Sequence, residues 1–177
     1  MNFAKGEEQM NFMLECSVMD GLVFIDEGYL AGLNDDLLYE MDILLDYNGT
    51  SELICDFPDE SWDIVRPRET KEIRKFCAYG KMIIWILDSV EKECELIKSD
   101  EIVESLKWLH LPTGKLLAVT ASELIQCLLY PELEMEKVFE LSVEEGWYAI
   151  QNEGIEKIMY CKKEPPHSIF SNIQELY

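Results

Sequence analysis

Apolar residues fall in short blocks along this chain, and the spacing within a block announces the element. The clearest stretch is 114–161. Leu116, Leu117, Ala118 and Val119 form a brief apolar run after Gly114, bounded sharply enough to be a buried strand. Thr120-Ala121-Ser122-Glu123 follows with capping-box spacing, in which the Thr hydroxyl takes the amide three residues on and the Glu side chain reaches back. Leu124, Ile125, Leu128 and Leu129 then share one helix face, and Pro131 stops the helix. From Val138 the period becomes two. Phe139, Leu141 and Val143 turn to a core while Glu140, Ser142 and Glu144 turn to water. Turns at Glu144-Glu145-Gly146 and Asn152-Glu153-Gly154 divide the remainder into strands near 147–150 and 155–160, so 138–160 reads as a three-stranded meander.

The first third repeats part of this grammar. A strand is predicted at 12–18, and Asp20-Gly21 marks a turn into a second, buried strand, Leu22-Val23-Phe24-Ile25. Asp26 is placed to cap a helix carrying Tyr29, Leu30, Leu33, Leu37 and Leu38, which Gly28 and Gly32 weaken. The segment 41–47 continues that helix or forms a strand, and 53–55 resembles another short strand. Further on, 70–79 has the spacing of a helix with Ile73, Phe76 and Cys77 on one face. The run 82–87 reads as a central strand, 94–98 as its return, 101–108 as a helix and 110–114 as a loop.

Leu22, Val23, Ile25, Asp26 and Leu30 align without a gap on Leu116, Leu117, Val119, Thr120 and Leu124. In both places a turn, a buried strand, a cap and a helix succeed one another, with a hairpin expected after each, at 41–55 and at 138–150. This suggests an internal duplication of a strand-helix-hairpin unit, with halves at 1–65 and 82–164. The expected architecture is a single domain over 1–177 of the α+β class, mainly antiparallel sheet with three or four short helices.

Composition narrows the function. With 36 Asp and Glu against 15 Lys and Arg, the formal net charge is -21. Such a surface repels nucleic-acid phosphates and anionic membranes, and it accelerates encounter with a basic protein. The charge is concentrated: Lys5 is the sole basic residue before Arg66. Basic side chains gather instead at Arg66, Arg68, Lys71, Arg74, Lys75 and Lys81, either as an anion site or as a face that pairs with the acidic third. The chain has no apolar run long enough to span a bilayer and no apolar signal core near its start, which points to the cytoplasm. Its six cysteines are scattered without a C-x-x-C and read as reduced.

No motif for a phosphate loop, a dinucleotide, a nucleophile elbow, zinc or calcium is present, and no cofactor is expected. His110 and His167 read as loop residues. A Cys–His pair or paired carboxylates remain open as a hydrolase alternative, since such groups meet only in the fold. Trp147-Tyr148 is the most conspicuous aromatic pair. Strand alternation sends the two rings to opposite faces, leaving one available as an interface anchor or for packing.

Thr113-Gly114-Lys115-Leu116-Leu117-Ala118-Val119, followed by Phe139-Glu140-Leu141 and Glu145-Gly146-Trp147-Tyr148-Ala149-Ile150, resembles small bacterial immunity proteins of polymorphic toxin systems. The likeness covers the last third of the chain and carries no chemical residue with it. It implies a cytoplasmic protein that binds a toxin domain and blocks it without catalysis. The expected contact surface for a basic partner comprises Asp35, Asp36, Asp59, Glu60 and Asp63, with Trp62 as an anchor. A structural homo-oligomer, such as a homodimer through an exposed sheet edge, is the third reading.

Overall fold

The computed structural model describes residues 9–16, 20–45, 70–87, 90–100, 102, 107–153 and 156–170. Their order is β1 (Gln9–Cys16), β2 (Asp20–Asp26), a 3-10 turn (Glu27–Gly32), α1 (Asp35–Leu45), α2 (Lys71–Ala78), β3 (Met82–Leu87), β4 (Val90–Lys98) and β5 (Lys107–Leu111). Then follow β6 (Lys115–Thr120), α3 (Ala121–Leu129), β7 (Phe139–Ser142), β8 (Gly146–Glu153), β9 (Lys157–Lys162) and a second 3-10 turn (His167–Ile169). The class is α+β. The strand expected at 53–55 and the segment around Trp62 lie outside the described residues.

Two sheets and a layer of helices stack in order. The four-stranded sheet, β3-β2-β6-β7, lies in the middle. Its strands β2, β3 and β6 are apolar on both sides because both sides are covered, while β7 at its edge alternates. Val23, Ile25, Met82, Ile84, Leu117 and Val119 meet α1, α2 and α3. Leu22, Phe24, Ile83, Trp85, Leu116 and Ala118 meet the five-stranded sheet, β1-β4-β9-β8-β5. That outer sheet contributes Phe12, Leu14, Cys94, Leu96, Leu109, Leu111, Tyr148, Ile150, Ile158 and Tyr160 at alternating positions. Each large apolar side chain buried this way stabilises the fold by about 1.5–3 kcal/mol.

The sheets have an approximate two-fold arrangement. In the antiparallel pair β2–β6, Phe24 faces Ala118, and Leu22 and Asp26 face Thr120 and Leu116. The gapless alignment of 22–26 on 116–120 makes Phe24 and Ala118 equivalent, so the local two-fold passes between them. Strand β3 flanks β2 as β7 flanks β6, and β1–β4 matches β5–β8 in the outer sheet. Only β9 breaks the pattern among the described strands: it lies between β4 and β8, parallel to one and antiparallel to the other. The equivalent units are therefore β1–β4 and β5–β8, rather than blocks that begin at 1 and 82. They are also interleaved. Phe12 of β1 stacks on Phe139 of β7 with ring centroids 4.7 Å apart, and β5 donates from His110 N to Gly80 O beside β3 at 2.7 Å.

Several local expectations are corrected. The segment 41–45 continues α1, so no hairpin begins there. Strand β7 pairs with β6 and β8 with β5 and β9, so the expected meander is only β8–β9. The chain crosses between sheets at 143–145, which places Leu141 and Tyr148 on opposite walls of one core instead of side by side. By the same logic β4 pairs with β1 and β9 rather than returning on β3, whose two apolar faces need cover from both layers. Strand β3 is an edge in sheet order although it is buried. Residues 107–111 form β5, not the end of a helix or a loop: Leu109 and Leu111 alternate inward and pairing with β8 completes their hydrogen bonds.

Polar side chains fasten the joints. Asp26 Oδ1 accepts from Gly28 N and Thr113 Oγ1, both at 2.7 Å, and Oδ2 accepts from Thr113 N at 3.2 Å. Asp20 accepts from Ser122 N at 3.0 Å and Ser122 Oγ at 2.6 Å, which ties β2 to the start of α3. Thr120 Oγ1 caps α3 by accepting from Glu123 N at 3.4 Å. The reciprocal half of the capping box is replaced. Glu123 Oε1 accepts instead from Glu136 N at 2.8 Å and Lys137 N at 3.1 Å, so it holds the returning loop.

Candidate functional site

The helix layer carries the acidic surface. In α1, Leu37, Leu38, Met41, Leu44 and Leu45 point to the core. Helical phase then turns Asp35, Asp36, Tyr39 and Asp42 outward. Tyr39 is 68% exposed, a large ring with carboxylates about one turn away on both sides. Helix α1 touches both α2 and α3 and is thus the middle helix of its layer. Asn34 Oδ1 caps it by accepting from Leu37 N at 2.9 Å. Asp35 and Asp36 occupy the first turn, where the helix dipole favours negative charge.

Glu40 is removed from this surface by an internal task. Its Oε1 accepts from Glu72 N at 2.8 Å and Ile73 N at 3.2 Å, satisfying amides at the start of α2. Burial raises its carboxyl above the usual range, with the nearby charges of Glu72 and Asp36 acting in the same direction against those two bonds. A second acidic and apolar area follows α3. Leu129, Tyr130 and Leu133 are 42%, 55% and 48% exposed, among the exposed side chains of Glu132, Glu134 and Glu136. Neither 27–45 nor 121–136 contains a Lys, Arg or His.

Of the residues expected at the contact surface, Asp35 and Asp36 lie exposed on α1. Asp59, Glu60, Trp62 and Asp63 lie outside the described residues. Tyr39 was not signalled by composition. The signal was its phase: counting from Leu37, Leu38 and Met41, position 39 falls on the far side of the helix.

The two histidines and the cysteines make a different picture. His110 stands on β5, where its Nδ1 meets the Tyr29 hydroxyl and its ring stacks on Trp147 with centroids 4.7 Å apart. Burial lowers the His110 pKa against the opposing charges of Asp26 and Glu164. Burial also raises that of Tyr29, reinforced by Asp26. Both shifts favour the neutral ring, and the imidazole tautomer sets which of the two atoms donates. Lys81 Nζ lies 5.7 Å from the Tyr29 ring centroid and 5.4 Å from that of Phe76, and Phe170 packs on Trp147 at 5.2 Å. This cluster joins the first 3-10 turn, α2, the outer sheet and the C-terminal segment. Trp147 is thus occupied by packing, while Tyr148 faces the core.

Cys77, Cys94, Cys127 and Cys161 carry free thiols. Burial raises the thiol pKa of Cys127 and Cys161, which keeps them protonated and poorly nucleophilic. Among the described residues no group of three or more His, Cys, Asp or Glu converges to hold a metal ion. No helix among them is long and apolar enough to cross a membrane.

No family model matches the chain, and no curated protein matches it. Among solved structures, a protein described as "Crocagin biosynthetic gene J" is similar at 15% identity with a TM-score of 0.43, over 88% of this chain and 97% of that one. A likeness at that level carries no argument about function.

Proposed function

We propose that this is a non-enzymatic binding protein of the cytoplasm that sequesters a basic protein partner, in the manner of an immunity protein acting on a cationic toxin or nuclease domain. The observation that supports this reading is Tyr39, exposed on the middle helix between Asp35, Asp36 and Asp42. Exposed aromatic rings that desolvate against a partner dominate many interfaces. Carboxylates around such a ring accept charge-assisted hydrogen bonds from Arg and Lys. A net charge of -21 steers a cationic domain toward this face and raises the association rate. Inhibition is by occupation of the partner's surface, without a covalent step.

The test is to read the neighbouring reading frames for a protein with a basic toxin-like domain and to titrate that domain calorimetrically. Tyr39→Ala is expected to weaken binding about tenfold or more, the range of an aromatic anchor. Asp35→Asn with Asp36→Asn is expected to slow association and flatten its dependence on salt. Unchanged affinity and salt dependence in all these variants would remove the α1 face from the interface. A neighbourhood of metabolic enzymes with no basic domain among them would count against the reading as a whole.

A further inference from the structure

The inner face of the outer sheet is apolar along each strand until one end, where the pattern breaks. In β4 the inward series is Cys94, Leu96 and then Lys98; in β9 it is Ile158, Tyr160 and then Lys162. The register confirms the side. Lys98 is the partner of the inward Tyr160, and Lys162 that of the inward Tyr148. Two of the 15 basic residues of a strongly acidic chain are thus spent on inward positions at one mouth of the sandwich. Breaks in binary pattern of this kind mark functional positions.

The mouth holds a cavity of about 230 Å³ lined by Lys98, Ser142, Val143, Glu144, Tyr148 and Lys162. It already contains a carboxylate of the chain itself. Glu144, on the crossing between β7 and β8, accepts from Lys162 Nζ at 2.7 Å, and its side chain is 77% exposed. The Tyr148 hydroxyl donates to Glu144 O at 2.6 Å, which fixes the backbone of that crossing and leaves the ring as a wall. Lys162 lies over Gly146, where a Cβ would come within 2.8 Å of its Cε. The paired lysines hold the Glu144 carboxyl below the usual range, Lys162 most strongly and Lys98 at longer reach.

We propose that this mouth is a binding site for a small carboxylic acid, in which Lys162 and Lys98 supply the positive charge, Ser142 a hydroxyl donor, and Glu144 a built-in carboxylate that the ligand displaces. Its size fits an acid of a few carbons, since pockets for drug-sized ligands run to about 300–1,000 Å³. The site lies on the sheet side of the molecule and stands independently of the α1 face.

Succinate and inorganic phosphate serve as probes, titrated separately into the full-length protein and followed by calorimetry and by the amide resonances of 142–148 and 157–162. Succinate is expected to bind saturably. Glu144→Gln, which removes the internal competitor, is expected to tighten it about threefold or more, the scale of an exposed ion pair. Lys162→Met and Lys98→Met keep an unbranched side chain without the charge and are each expected to weaken it about tenfold. Unchanged thermal midpoints in the three variants exclude misfolding as the cause. The proposal is overturned if succinate does not saturate either the native protein or Glu144→Gln, if both Lys→Met variants bind as well as the native protein, or if phosphate binds more tightly than succinate.

Discussion

Gly114 shows how a single residue constrains the join between two strands. Its φ is +74°, and a Cβ there would lie 2.2 Å from the Val143 carbonyl oxygen. That approach is required because Gly114 O accepts from Val143 N at 2.7 Å, which fixes the end of β7 beside the start of β6. Gly114→Ala combines a strained backbone with a clash against main chain. It is expected to cost at least about 1–3 kcal/mol, read as a lower urea midpoint at unchanged slope. His110 makes a second prediction at this scale. Because burial lowers its folded pKa, the unfolded chain binds more protons just below 6.5, and the native state loses stability as pH falls through that window. A resonance titration should place the His110 imidazole below 6.5, and the stability decline between there and the folded pKa should be absent in His110→Gln.

Between elements, Glu40 links α1 to α2 through two main-chain bonds. Its folded pKa is raised above 4.5, so the native state retains a proton that the unfolded chain has released. The contribution of its protonated form is complete below 4.5 and fades as pH rises through the folded pKa. Gln at this position keeps an acceptor for both amides and does not titrate. The stability of the native protein relative to Glu40→Gln should therefore decline with rising pH across that window and be level on either side, as chemical denaturation at a series of pH values would show. The same link explains why only part of the acidity of α1 is offered to a partner: the carboxylate nearest the neighbouring helix serves the helix layer itself.

At the scale of the molecule, the two units are topologically alike but do not form two lobes. Strand β1 stacks across β7, β5 lies beside β3, and both carboxylates of β2 bind groups that follow β5: Asp20 binds Ser122, and Asp26 binds Thr113. Cutting the chain in the link between β4 and β5 should leave neither piece able to unfold cooperatively on its own. Mixing the pieces should restore a near-ultraviolet circular dichroism signal from the shared aromatic core. An independently folded fragment covering 107–170 would show that each unit owns a core, contrary to the interleaving.

Local sequence determined how many faces of each element are buried. The runs at 22–25, 82–85 and 116–119 are apolar at every position because they lie between two layers, and 139–143 alternates because one face meets water. The caps at Asp26 and Thr120, the acidic exposure of Asp35 and Asp36, and the correspondence of 22–26 with 116–120 were legible for the same reason, each depending on neighbours within about one turn of chain; the helix expected straight after Asp26 is instead a 3-10 turn at Glu27–Gly32, with α1 beginning at Asp35. Tertiary structure decided the partners. A period of two states that Tyr148 and Leu141 face a core, but it does not say whether they share a sheet or oppose each other across one. Nor does it distinguish β5 from a helix until β8 supplies its hydrogen bonds. Glu40 and Lys162 are ordinary charged positions in the sequence and Glu123 reads there as half of a capping box; contacts between 13 and 33 residues away make them a clamp, the partner of Glu144 and a loop anchor. Periodicity records the surroundings a residue needs; long-range packing determines which residues provide them.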